Sequence, residues 1–464
     1  MSERQARTAR ERKARGTACW LVLFLLATAA VSFAAAQSEA PRREASQSTN
    51  AGVPVAQTSD GKTAPQGTSE YRLSRERYEK AVAYSRAGYR LYFLSVVWGI
   101  AVLYLLLRQK VVARIRDMAE ARSGKRFLQA LIFVPGLLWL LALLHLPLRI
   151  YWHKLSFEYE QSVEGWGSWM WDWTKGELIS AGIAVPVALL LLWVIRWKPE
   201  KWWLYFWFAI VPLSLFVFFI SPWVLDPVFN KFVPLEQKHA ALVQQIGKLT
   251  ERAELRIPPE RMFLMEASKK TNRTNAYVTG IAASKRVVVW DTTIQKMSPD
   301  EVLVIVGHEM GHYVLGHVVK GFLFFTGGML VGLYVAYRAL RWILKRCGEV
   351  WGVRGQNDWA ALAVLLLIMN VLEFAGMPVG NGFSRMQEHA ADVYGLELTH
   401  GIVENSSEVA AHAFQVMGEL DLADPHPSPM ITFWLYSHPP QADRLKFAHD
   451  YDPWSKGESP KYVK

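Results

Sequence analysis

The chain has 464 residues, 51% of them hydrophobic, with 20 tryptophans and a formal net charge of +11. That apolar share excludes a disordered chain and an ordinary soluble enzyme, and it predicts a membrane protein. The basic excess lies largely in short segments beside apolar runs, where topology determinants belong, so nucleic acid is not an expected partner.

Residues 1–36 join an Arg-rich start (Arg4, Arg7, Arg10, Arg12, Arg15) to an apolar run that ends in small residues. This is a signal peptide or a first membrane anchor. Residues 37–70 turn to Ser, Thr, Gly, Pro and Ala, which cannot bury a core, and read as a flexible linker. An N-terminal transmembrane domain follows over 71–220, with apolar runs at 91–107, 127–150, 178–195 and 202–220, each near the length a bilayer demands. Pro135, Pro186 and Pro212 fall inside these runs and predict kinks. Trp152, Trp166, Trp169, Trp171 and Trp173 crowd one loop and suit a membrane interface. Two further runs at 321–337 and 359–378 bring the spans to six, or seven with the N-terminal segment. Two cysteines, Cys19 and Cys347, offer neither a disulfide nor a metal set.

Residues 221–464 form the second domain, and its polar insert at 221–320 reads as α+β. An amphipathic helix is predicted at 238–251, and short strands at 262–265, 276–279 and 286–290. Ser298 with Glu301 makes a capping box and Pro299 suits the first helical position, so a helix starts there. That helix carries His308, Glu309 and His312 in the pattern H-E-x-x-H. Histidines four apart lie on one helical face and can grip one ion while the glutamate stands beside it as a base. His317, nine residues from His308, projects to the opposite face if the helix continues into the fifth span, and reads as a plain polar residue.

A catalytic zinc takes three protein ligands and keeps one position open. Glu388, in the helix-compatible stretch SRMQEHAAD, is a candidate third ligand, and Asp392 four residues on can orient a ligand histidine from behind. His389, about 100° around the same helix, is the rival.

GHEMGH followed by two spans and SRMQEHAAD resembles the integral-membrane type I CaaX prenyl endopeptidases, the sterile-24-type zinc metallopeptidases. LSRERYEKAVAYSRAGYRLYF, LDPVFNKFVPL, TNAYVTG with RVVVWDT, and SHPPQADRL resemble further blocks of that family, so the likeness runs from about Leu73 to Leu445. The resemblance implies one zinc ion per chain held by His308, His312 and Glu388, with Glu309 as general base. It implies that Asp392 stands behind a ligand, that His438 and Arg444 stand near the reacting carbonyl, and that Asn275 and Ala276 lie on an edge strand that pairs with an extended peptide. The fold it implies is mainly α, a ring of about seven transmembrane helices around a chamber, with the zinc site facing inward. Residues 151–175 match the family only in outline, keeping the spacing of Trp169, Asp172 and Lys175.

The expected activity is that of an integral-membrane zinc metalloendopeptidase acting on peptide or protein substrates in the bilayer, with no oligomer required. A membrane chaperone or quality-control scaffold that binds metal without cutting is the alternative, and Glu309 argues against it. An intramembrane protease is a rival that Asp300, Glu301 and the polar insert disfavour. Glu373, in the last span, is costly to face lipid and is expected to face the chamber or a polar partner. Residues 108–126 carry seven basic residues, 196–201 three and 338–358 five, so these loops are cytoplasmic. The zinc helix then faces the extracytoplasmic side of a bacterial-type inner membrane, with the cytoplasmic side as the alternative. CaaX-box processing of prenylated C-termini is cytosolic, so an extracytoplasmic site points to misfolded or lipidated membrane proteins instead.

Overall fold

The computed structural model describes residues 70–280 and 285–463, so the expected signal or anchor at 1–36 and nearly all of the linker lie outside it. Among the described residues six helices are long and apolar enough to cross a bilayer. They are α1 (Arg75–Arg108), α3 (Arg126–Glu158), α4 (Trp166–Trp197), α5 (Trp202–Val224), α8 (His317–Trp351) and α9 (Ala361–Thr399). The seventh expected span falls on residues outside the description. Each span bears large apolar side chains on an outer face, such as Leu94, Leu131, Trp193, Phe208, Phe325 and Val379. The inner faces close a core of Val96, Leu103, Leu107, Phe133, Leu192, Leu367 and Phe374.

The apolar runs underestimate the helices. Helix α8 continues past residue 337 through Arg338, Arg341, Lys345 and Arg346, and α9 is one helix of 39 residues that leaves the apolar stretch and carries Glu388 without a break. Hydropathy marks only the part of a helix in lipid, whereas the backbone continues wherever the next turns still pack. Pro135, Pro186 and Pro212 all sit inside helices, joined by Pro147 and Pro378.

On the side of the basic loops, α2 (Val111–Arg122) packs under the bundle. Its Arg116 forms a buried ion pair with Asp358 at 2.6 Å and donates to the Gly352 carbonyl. Asp358 also accepts from the Arg354 amide at 2.8 Å, so the charge pair is fully bonded, as a buried pair must be. Cys347 is fully buried, while Cys19 lies outside the described residues.

The polar insert forms a four-stranded sheet in the order β1-β2-β4-β3. The three predicted strands are present as β2 (Met262–Met265), β3 (Ala276–Thr279) and β4 (Arg286–Trp290). The three-residue β1 (Phe232–Pro234) is too short to leave a pattern in the sequence. The predicted amphipathic helix is α6 (Glu236–Arg252), burying Leu242, Val243, Ile246 and Leu249 against the sheet. Lys270 of the insert reaches Asp172 of α4 at 2.9 Å, and Lys175 meets the same carboxylate at 2.6 Å. These charges tie the insert to the membrane bundle.

Helix α7 (Pro299–Val314) starts as its sequence dictates. The Glu301 amide donates to Ser298 Oγ and the Ser298 amide donates to Glu301 Oε2, completing the capping box. The helix does not run on into the fifth span. It ends at Leu315, and Gly316 adopts φ +68°, a left-handed conformation that glycine reaches without steric cost. Helix α8 then starts afresh at His317.

Candidate metal centre

Helices α7 and α9 approach so closely that glycine is required between them. A Cβ on Gly395 would lie 2.8 Å from the His308 amide nitrogen, and one on Gly311 would lie 3.0 Å from the Tyr394 Cβ. This contact brings a glutamate of α9 against two histidines of α7. One ligand atom from each of His308, His312 and Glu388 lies within 4.8 Å of the other two. His308 Nε2 and His312 Nε2 are 3.1 Å apart, and they lie 3.3 and 3.4 Å from the two Glu388 oxygens. Glu388 is buried, and its Oε2 accepts no hydrogen bond. Two imidazoles and an orphaned carboxylate oxygen converging on one point fit a divalent cation with a position to spare.

The rival His389 is turned away, with its ring packed edge-on against Phe447 at 4.5 Å. Asp392 accepts from His308 Nδ1 at 2.8 Å, which leaves the Nε2 lone pair facing the cluster. Arg444, on α11 (Gln441–Asp450; α10 being Ser406–Leu420), forks onto both Asp392 oxygens at 3.0 and 2.6 Å. Its guanidinium also stacks over Phe414 at 4.2 Å. Burial pulls the His308 pKa down, but the bond to Asp392, the charge of Asp392 and the nearby Glu388 carboxylate outweigh it and push the imidazole up to about 10. The cluster is thus an electrostatic well for positive charge. Burial pushes the Glu309 carboxyl up, the direction that suits a base working near neutral pH.

The site opens into a cavity of about 1130 Å³ that extends between the membrane helices and is lined by Glu309, His438, Asn275, Arg149 and Glu373. Glu373 therefore faces the chamber, as its cost in lipid requires. His438 presents Nε2 3.4 Å from Glu388 Oε1, with Nδ1 2.9 Å from Ser437 Oγ. Strand β3 lies at the edge of the sheet. Trp290 donates to the Asn275 carbonyl, so residues 275 and 290 form a bonded pair and Ala276 opposite Val289 does not. Antiparallel pairs alternate, and this puts the Ala276 N–H and C=O on the free side of β3. Thr293 Oγ1 holds the Asn275 backbone from within, accepting from its amide and donating to its carbonyl, both at 2.8 Å.

The contacts of two residues do not follow from the sequence. Thr293 carries no motif. A continuous helix would put His317 on the far face, yet it is buried and its Nδ1 lies 3.0 Å from Nδ1 of His312. The break at Gly316 reverses that expectation, and the glycine just before the histidine was its signal.

A trio that could hold a metal ion, set in a multi-pass membrane protein and open to an internal chamber, is the arrangement an integral-membrane metallopeptidase needs. Residues 236–452 match the model of peptidase family M48, and residues 57–231 match the model described as CAAX prenyl protease N-terminal, five membrane helices. The chain belongs to the sterile-24-type CaaX prenyl endopeptidase family of M48 peptidases. It is 38% identical over 376 residues to an uncharacterized metalloprotease, YhfN, of Bacillus subtilis, covering 80% of this chain and 85% of that one. It is 26% identical over 411 residues to CAAX prenyl protease 1 of Saccharomyces cerevisiae, covering 82% and 87%. The crystal structure of S. mikatae Ste24p shares the fold, with a TM-score of 0.69 at 23% identity over 82% of this chain and 89% of that one.

Proposed function

We propose that the protein is a zinc metalloendopeptidase that cuts extended peptides entering its membrane chamber. The observation that carries the reading is the convergence of Glu309, His438 and the free edge of β3 on the open side of the trio His308, His312 and Glu388. Zinc, when bound, supplies a Lewis acid that polarises the scissile carbonyl and makes water acidic enough to deprotonate near neutral pH. Ala276 pairs with the backbone of the peptide, and Asn275 lies next to the scissile bond. Glu309 takes the proton from the attacking water and hands it to the leaving amine as the C–N bond breaks. His438 donates Nε2–H to the developing oxyanion, an effect worth about 2.7–4 kcal/mol per donor. Arg444 works through Asp392, holding the carboxylate that orients His308.

The relatives named CAAX prenyl proteases suggest prenylated C-termini as substrates. The basic loops of this chain suggest an extracytoplasmic site and therefore unmodified, misfolded or lipidated membrane proteins. The test is cleavage of a prenylated and an unmodified peptide by the purified protein, with and without a chelator. The expected outcome is chelator-sensitive cleavage of the unmodified peptide. Cleavage that survives the chelator overturns the enzyme class, and cleavage of the prenylated peptide alone overturns the substrate reading.

A further inference from the structure

The two histidines of the trio are supported differently. His308 leans on a carboxylate, Asp392, which Arg444 holds in turn. His312 leans on another imidazole, with its Nδ1 3.0 Å from Nδ1 of His317 and the two rings nearly perpendicular. His317 is 5% exposed and belongs to the membrane helix α8, not to the metal helix. Only the left-handed turn at Gly316 brings it back beside the residue it touches.

We infer that His317 is a positioning residue for metal binding, accepting the Nδ1 hydrogen of His312 and so fixing which nitrogen of His312 faces the ion. The inference rests on His312 holding the metal. Hydrogen bookkeeping assigns the pair. His312 Nε2 points into the cluster and ligates only through its lone pair, so a neutral His312 carries its hydrogen on Nδ1. Two nitrogens 3.0 Å apart share one hydrogen, so His317 Nδ1 is the acceptor and its own hydrogen sits on Nε2. Partners of this kind orient the ring and raise the basicity of the ligand nitrogen, and their loss typically weakens metal binding.

The test is zinc competition against a chromophoric chelator, on full-length protein in detergent, with wild type, H317N, H317L and H317A. Asparagine places Oδ1 where Nδ1 stood and keeps an acceptor; leucine keeps the volume and removes it. H317L and H317A are expected to bind zinc about 10- to 100-fold more weakly, and H317N to recover most of the loss. Melting of the metal-free forms separates this from a packing defect, which would follow side-chain volume instead of the acceptor. Wild-type affinity in H317L, or an H317N as weak as H317L, overturns the inference; if leucine prevents folding, the H317N and H317A pair decides it on the same terms. A wild type that binds no zinc removes the reading of the site itself, a different outcome from wild-type binding that H317L leaves unchanged.

Discussion

Behind the cluster of His308, His312 and Glu388 the polar groups are held by protein, whereas in front of it Glu309, Asn275 and His438 face the chamber. The back is closely packed, set by helix contacts that admit no Cβ, and its charges are paired by Asp392 with Arg444. The front is open, and its strand edge offers backbone groups that no protein neighbour uses among the described residues. Under the proposed reading the contrast separates two tasks: the back would fix where a metal sits, and the front would decide what happens to a peptide beside it.

The largest expected effect is at the front. E309Q should retain zinc at wild-type stoichiometry and melt as the wild type does, while cleavage falls by about 10²- to 10⁴-fold. Loss of zinc in that variant would break the division between front and back. At the back, G395A should do the reverse. Its added methyl meets the His308 backbone, which cannot move aside as a flexible side chain would. Overpacking of this kind costs about 1–3 kcal/mol, read as a lower melting temperature, with weaker zinc binding as Glu388 is pushed from the histidines.

The smallest effect lies at the base of the metal helix. His412 Nδ1 donates to Glu301 Oε1 at 2.5 Å, and Glu301 is the partner of Ser298 in the capping box of α7. That bond raises the His412 pKa above its ordinary 6.5. Burial would raise the Glu301 pKa, but the bonds from His412 and Ser298 prevail and lower it below 4.5. The histidine's contribution is full below 6.5 and is lost as pH rises through its raised folded value; the glutamate's is present above 4.5 and is lost as pH falls through its lowered one. The melting temperature of H412A should therefore fall furthest below wild type between the ordinary glutamate and histidine values and converge with it as pH rises through the raised His412 value. A gap independent of pH would show that His412 acts through packing alone.

Much of this division is legible in the residues. Ser298, Pro299 and Glu301 announce the metal helix because capping is a local matter, and the three predicted strands appear at their predicted residues for the same reason. Glu388 and Asp392 stand four apart on one face, and both meet His308. What escaped depends on the path of the chain between elements. Arg444 meets Asp392 only because α11 folds back onto α9, and His317 meets His312 only because one glycine turns left-handed. Neither follows from a helical repeat, which assumes that the repeat continues.

One consequence follows from the unbroken length of α9. Glu373 lines the chamber and Glu388 joins the metal trio on the same helix, fifteen residues apart, so they are separated by about 22 Å along its axis at 1.5 Å per residue. An extended peptide advances about 3.3 Å per residue, and about seven residues span that interval. For a peptide cut at the trio as proposed, helix α9 would serve as a ruler, because a shorter peptide would not also reach Glu373. The rate for a series of unmodified peptides of increasing length reads this distance directly, as the length beyond which added residues cease to matter.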